Sequence, residues 1–233
     1  MKKKIVFIMN PISGTSSKAA VPSLIDSTLD KEQFEYEIKM TERPEHASEL
    51  AAEARDNHAD IVVAVGGDGT VNEVARSLVH SDSALGILPC GSGNGLARHL
   101  LLPMNLKKSI EIINACEIHD LDYGVINEYP FFCTCGMGFD AFVSMKFAES
   151  GKRGPISYAE NILREGLKYE PETYTLEDET GTKQYKAFLI SCANASQYGN
   201  NAYIAPQASM SDGLMDVVIM EPFDVIEASQ VSF

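Results

Sequence analysis

No stretch of the 233 residues approaches the run of about 18 apolar positions that a membrane-spanning helix needs, so any membrane contact is peripheral. Basic charge is scarce too. The 19 Lys and Arg stand against 33 Asp and Glu, a net charge of −14 that repels phosphate backbones and sets nucleic acid aside as the main partner. The five cysteines include no C-x-x-C; the closest pair is Cys133-x-Cys135, one face of a strand, and the set reads as reduced cytosolic thiols used in packing. A secretory leader is missing. Met1-Lys2-Lys3-Lys4 before Ile5-Val6-Phe7-Ile8-Met9 imitates one, but the apolar run is too short, no cleavage site follows, and Asn10-Pro11 closes it as a turn. No G-x-x-x-x-G-K-[ST] P-loop is present, since Gly14-Thr15-Ser16-Ser17-Lys18 lacks the second glycine. The first strand is not followed by G-x-G-x-x-G, which makes hydride transfer a poor reading.

What is there is a globular composition: 45% of residues are of the AVILMFWYC class and 22% are charged. The first half alternates short β-rich runs (residues 5–9, 34–39 and 61–65) with helical patterns (17–29, 45–57 and 71–79). Ile61-Val62-Val63-Ala64-Val65 is apolar on both faces, the signature of a parallel sheet covered by helices on each side, hence a doubly wound α/β domain. Residues 86–89 and 118–121 read as further strands, 96–101 and 106–115 as helices. After Tyr123 longer β-type stretches follow at 129–135, 172–177, 184–192 and 215–220, so the spacing predicts an α/β domain over residues 1–122 and a β-rich one over 123–233. Helical patterns at 141–149 and 157–167 flank the turn Gly151-Lys152-Arg153-Gly154-Pro155, and the chain stops inside another helical pattern.

The chemistry concentrates at strand ends. Gly66-Gly67-Asp68-Gly69-Thr70 follows a buried strand and precedes a helical Val71-Asn72-Glu73-Val74, so close backbone approach and a helix start together suit a polyphosphate. Asp68 there offers a magnesium ligand or an acceptor for the proton of an attacking hydroxyl; the plainer role is a cap for the helix that follows. Asn10-Pro11-Ile12-Ser13-Gly14 and Cys90-Gly91-Ser92-Gly93-Asn94-Gly95 also follow strands, and loops after parallel strands line one crevice at the carboxyl edge of an open sheet. His46, His80 and His99 lie on helical stretches at no ligand spacing.

These segments together resemble the diacylglycerol kinase catalytic-domain family of lipid kinases, which includes sphingosine kinases and bacterial lipid kinases. The resemblance rests on N-P-x-S-G at residues 10–14, G-G-D-G-T at 66–70, and Gly91-Ser92-Gly93-Asn94. It continues through Gly136-Met137-Gly138-Phe139-Asp140-Ala141, Arg153-Gly154-Pro155 with Tyr158, Ile204-Ala205-Pro206, and Asp212-Gly213-Leu214-Met215-Asp216-Val217. It implies a sandwich-like second domain and ATP surrounded by Asn10, Pro11, Ser13, Gly14, Thr41, Gly66, Gly67, Gly69, Thr70, Asn72, Glu73, Gly91, Ser92, Gly93 and Asn94, with Arg153 holding phosphate. Read alone, Thr41 is equally the N-cap of the helix after it. The resemblance further implies Mg2+ on the Asp212 carboxylate and the carbonyls of Ser209 and Leu214, a D-G segment that also suits a hairpin turn. Asp140 would face the acceptor, and Lys152 with Arg153 would meet phosphates or an anionic membrane.

The family's later return segment, which carries an acidic D-G-E motif, is absent from these residues. In bacterial members that carboxylate is taken as the general base and in sphingosine kinases the central Asp, here Asp68, so Asp68 is the catalytic candidate and a less stable, less cooperative chain is expected. The reading is an ATP-dependent lipid kinase, cytoplasmic and peripheral at the inner membrane face, monomeric or homodimeric. Its rivals are a sphingoid-base kinase, to which G-S-G-N is closer, an NAD kinase sharing only G-G-D-G, and a chain that binds nucleotide without turnover.

Overall fold

The computed structural model describes residues 2–14, 18–139, 141, 142, 145 and 169–222. In chain order the first part runs β1 (Lys3–Met9), α1 (Val21–Thr28), β2 (Phe34–Met40), α2 (His46–Asp56), β3 (Ile61–Gly66), α3 (Asp68–Leu78), β4 (Ala84–Pro89), α4 (Gly95–His99) and α5 (Leu106–Ala115). Its four strands form one parallel sheet in the order β2-β1-β3-β4. Strand alternation gives the sheet two apolar faces. Val6, Ile8, Val62 and Ala64 pack under α2 and α3, whose Ala47, Ala51, Ala54, Val71, Val74 and Leu78 recur at helical spacing. Ile5, Phe7, Met9, Ile61, Val63 and Val65 pack against Val21 and Ile25 of α1 and Ile110 and Ile113 of α5. Each such fully buried side chain contributes roughly 1.5–3 kcal/mol relative to exposure, which is why strands with almost no polar residues form here.

The second part comprises β5 (Gly124–Ile126), β6 (Tyr129–Phe131), β7 (Thr134–Gly138), β8 (Glu172–Asp178), β9 (Gly181–Ala187), β10 (Leu189–Ala193), β11 (Gln197–Gly199), β12 (Ala202–Tyr203) and β13 (Asp216–Met220). β13-β10-β7 is an antiparallel sheet, and β5-β6, β8-β9 and β11-β12 are two-stranded ribbons. Ala195 and Met210 of this part are buried in the same cluster as Val6 and Leu96, so the two parts share a core.

Several expectations need correction. Residues 118–121 form no strand, and Ile118 and Leu121 are exposed; four residues with two polar ones in the middle give no face to bury. The run 129–135 breaks at Phe132 and Cys133, where the Cys133 carbonyl accepts from the amides of Asn194 and Ala195. The run 184–192 breaks at Phe188, whose amide donates to Met220. Thr41 does not cap α2: the N-cap is Glu45, left-handed at φ 62° and without a side-chain cap. Most of the helical patterns at 141–149 and all of 157–167 lie outside the described residues, as do the basic turn and the end of the chain.

Candidate active site

Because β1, β2, β3 and β4 run parallel and side by side, everything that follows them emerges at one edge. Backbone bonds carry the ladder past the strand ends: Asn10 N donates to Val65 O at 3.1 Å, Thr41 N to Met9 O at 2.9 Å, and Cys90 N to Gly66 O at 2.7 Å. Thr41, buried, therefore sits beside Met9 and Asn10 at the start of the first loop rather than on α2.

The loops are bound to one another. Asn10 Nδ2 donates to Thr70 Oγ1 at 3.3 Å, and Asn10 Oδ1 accepts from Ile12 N at 3.1 Å. Gly14, at φ +73°, lies so near the third loop that a Cβ would stand 2.0 Å from the Cys90 carbonyl oxygen. Gly67 and Gly91 meet back to back; a Cβ on Gly91 would stand 2.5 Å from Gly67 Cα. Most of these glycines thus serve loop-to-loop contact, where the sequence suggested approach to a ligand. Gly69 is the exception, with nothing within 4 Å of its Cβ position.

Around Gly69 the α3 N-terminus has no side-chain cap. The first amides of a helix have no intrahelical acceptor, so those of Gly69 and Thr70 are left to the cleft, where the helix dipole favours an anion. Asp68 does not cap α3. Its Oδ2 accepts from Asn94 N at 2.8 Å and its Oδ1 from Gly95 N at 2.6 Å, so the capping role belongs to the third loop and α4. Desolvation raises its pKa above the ordinary aspartate value, while the amides of Gly95 and Asn94 pull it down. Burial, with the Asp68 charge adding to it, pushes the Cys133 thiol up to about 12, so this cysteine is a neutral packing group.

Of the other expected contacts, Ser13, Gly91, Ser92, Gly93 and Asn94 lie in these loops, Gly66 ends β3, Thr70 lies in the first turn of α3, and Pro11 is exposed on the first loop. Ser92 is exposed and Asn72 half-buried, and neither side chain has a hydrogen-bond partner among the described residues. Glu73 turns away: its Oε2 accepts from Ala47 N at 3.1 Å and satisfies the start of α2, which has no cap of its own. Asn94 Oδ1 and Nδ2 pair with the backbone of Gly91, both at 2.8 Å, fixing the third loop internally. Asp140 and Arg153 lie outside the described residues.

Sequence reasoning missed two features. Lys18 is buried, and its Nζ donates to Asn10 O at 2.7 Å, Ser13 O at 2.5 Å and Ser13 Oγ, tying the first loop into a ring. Its position four residues after Gly14 was the available signal. The second is the β11–β12 ribbon, which covers the third loop: Asn200 N donates to Gly93 O at 2.9 Å and Arg98 Nη1 to Asn201 Oδ1 at 3.3 Å. No local pattern announces such a contact.

Ser209, Asp212 and Leu214 lie together on the loop between β12 and β13. Asp212 Oδ1 accepts from Leu214 N at 3.0 Å, and Asp122 Oδ2 accepts from Gly213 N at 2.8 Å. A shallow cavity of about 280 Å3 beside them is lined by Leu121, Asp122, Tyr123, Asn194, Gly213, Leu214 and Met215, and the Oδ1 of Asn194 is buried without a partner. The carboxylates of Asp122 and Asp212, each accepting from a backbone amide of this loop, and the orphaned carbonyl of Asn194 are hard oxygen donors of the kind magnesium takes. No group of three or more His, Cys, Asp or Glu side chains placed to hold a metal ion is found among the described residues.

Residues 4–126 match the model of the diacylglycerol kinase catalytic domain, and residues 133–230 that of the YegS C-terminal NAD kinase beta sandwich-like domain. Lipid kinase YegS of Escherichia coli strain K12 is 28% identical over 207 residues, covering 86% of this chain and 69% of its own. A diacylglycerol kinase of Staphylococcus saprophyticus is 27% identical over 242 residues, 99% of this chain and 77% of that one. The crystal structure of a diacylglycerol kinase from Bacillus anthracis, 19% identical, has the same fold, with a TM-score of 0.74 over 98% of this chain and 79% of the other. With one model covering residues 4–126, more than half of the sequence, and the second continuing to residue 230, the chain belongs to the diacylglycerol kinase catalytic-domain family.

Proposed function

We propose that the chain transfers the γ-phosphate of Mg-ATP to a hydroxyl of diacylglycerol or a related lipid, with residues 1–122 holding the nucleotide and residues 123–233 supplying the acceptor side. Family membership makes it a lipid kinase. The observation that supports the placement of ATP is the uncapped start of α3 with Gly69 uncovered, between two loops bound to it. Phosphoryl transfer proceeds through a loose transition state, so fixed donors and positioned charge matter more than a strong base.

In this reading the amides of Gly69 and Thr70 bind phosphate oxygens, and Ser13, Ser92 and Asn72 offer hydroxyl or amide groups to the same ligand. Lys18 acts one step back, holding the carbonyls of Asn10 and Ser13. Arg153 adds a phosphate contact and Asp140 faces the acceptor. Magnesium held by Asp212 and the carbonyls of Ser209 and Leu214 would neutralise phosphate charge. A lipid acceptor calls for a cytoplasmic enzyme, monomer or homodimer, working at the inner membrane face, and a place in phospholipid biosynthesis; no helix among the described residues is long and apolar enough to cross a membrane.

The test is transfer of radiolabelled γ-phosphate in mixed micelles holding diacylglycerol, sphingosine or no lipid, with NAD as a separate acceptor. Label on diacylglycerol is expected. Label on sphingosine alone would change the acceptor class, label on NAD alone would make the chain a soluble-acceptor kinase, and ATP binding with no labelled product would leave a nucleotide-binding protein.

A further inference from the structure

Asp68 occupies the centre of the glycine-rich motif, where either a base or a metal ligand would be sought, yet its bonds lead elsewhere. Both carboxylate oxygens point at backbone amides of the third loop, at 2.6 Å to Gly95 and 2.8 Å to Asn94. These distances are those of charge-assisted hydrogen bonds. The two amides open α4, a helix whose N-cap, Asn94, is left-handed at φ 51° and makes no side-chain cap bond; its side chain is spent on Gly91. Without Asp68 the start of α4 would have no acceptor for either amide. The fit around the carboxylate is close: a Cβ on Gly93 would stand 2.8 Å from Asp68 Oδ2. From the other side the β11–β12 ribbon presses on the same loop, and Gly93 O accepts from Asn200 N at 2.9 Å and Arg98 Nε at 3.1 Å.

We propose that Asp68 is a positioning residue, whose carboxylate clamps residues 91–95 onto the start of α3 in the arrangement that binds nucleotide. This rests on the kinase reading for its function and on geometry alone for the clamp. Both carboxylate oxygens are already occupied by amide hydrogens, and moving the group toward substrate would release the third loop.

The clamp and a base differ in what they change. A base acts on turnover and leaves nucleotide affinity intact; a clamp acts on affinity first. The experiment uses the full chain and fluorescent N-methylanthraniloyl-ATP with magnesium, comparing wild type, Asp68→Asn, Asp68→Ala, Gly93→Ala and the Asp68→Ala/Gly93→Ala double variant. Asp68→Asn keeps the shape but turns an NH2 toward one of the amides, and a weakening of nucleotide binding by about 10- to 100-fold is expected. Gly93→Ala, which pushes the carboxylate off its amides, should weaken binding in the same way. On the Asp68→Ala background the same methyl meets no carboxylate and should cost little more, so the two effects are not additive.

In 15N-labelled protein the amide resonances of Asn94 and Gly95 should move in Asp68→Asn. Wild-type affinity in Asp68→Asn, together with transfer reduced a thousandfold or more, would overturn the proposal and return Asp68 to the role of base. Additive effects of Asp68→Ala and Gly93→Ala would also overturn it. If wild type itself bound no nucleotide, the kinase reading would fail, and the clamp would then stand or fall on the two amide resonances.

Discussion

Gly14 and Gly69 are both glycines in strand-end loops, but a methyl group meets opposite surroundings at the two. At Gly14 it would lie 2.0 Å from the Cys90 carbonyl, on a backbone with φ +73°. Gly14→Ala should therefore cost about 2–4 kcal/mol of stability by overpacking and left-handed strain, read as a lower urea midpoint. At Gly69 the methyl would enter open space in the first turn of a helix, where alanine is favoured over glycine by roughly 0.5–1 kcal/mol. Gly69→Ala should unfold at the same or higher urea concentration while binding ATP at least tenfold more weakly. Loss of stability without loss of binding at Gly69 would mean that its bare backbone is there for the fold and not for a ligand.

At the scale of elements, α4 is the joint between the two parts. It is five residues long, follows the third loop directly, and ends at His99, whose Nδ1 accepts from Ser196 N at 3.0 Å and sits 3.0 Å from Ser196 Oγ. A backbone amide can only donate, so this nitrogen must carry a lone pair and the ring must be neutral. Burial lowers the His99 pKa below its ordinary value of 6.5. A group with a depressed folded pKa stabilises the fold above its unfolded pKa and loses that contribution as pH falls through the folded value. Stability should thus fall as pH drops below about 6.5, and His99→Gln should remove that part of the slope; urea unfolding at steps between pH 7.5 and 5 checks this, and an unchanged slope would mean that the contact does not hold the two parts together.

The same elements show what could be read in advance. The sheet and its helices were legible because apolar runs such as Ile61-Val62-Val63-Ala64-Val65 admit no surface strand, and the loops were legible because glycine clusters follow those runs. Residues 118–121 misled because two apolar residues in a short run say nothing about a strand to pair with. The partners of Asp68 lie 26 and 27 positions further on, and the bond depends on β3 and β4 being neighbours, a fact of tertiary structure. The sequence motif of Glu73 pointed to a ligand and gave no sign that its Oε2 accepts from Ala47 N at the bare start of α2, a partner 26 positions earlier in the chain.

For the molecule as a whole, one sheet edge collects the loops after β1, β3 and β4, a ribbon of the second part covers the third of them, and the two parts share buried residues around Val6, Leu96, Ala195 and Met210. With a net charge of −14, a polyphosphate ligand meets an unfavourable overall field, so local amides and a bound cation must supply the attraction. In the proposed reading the strand-end loops supply those amides and carry most of the nucleotide contacts. Hydrogen exchange measured by mass spectrometry, with and without Mg-ATP, tests this most directly. Slowed exchange strongest in peptides covering residues 10–14, 66–73 and 90–95 is expected, with the amides of Gly69 and Thr70 changing most. Nucleotide-dependent protection elsewhere, with these three loops unchanged, would contradict the site described above.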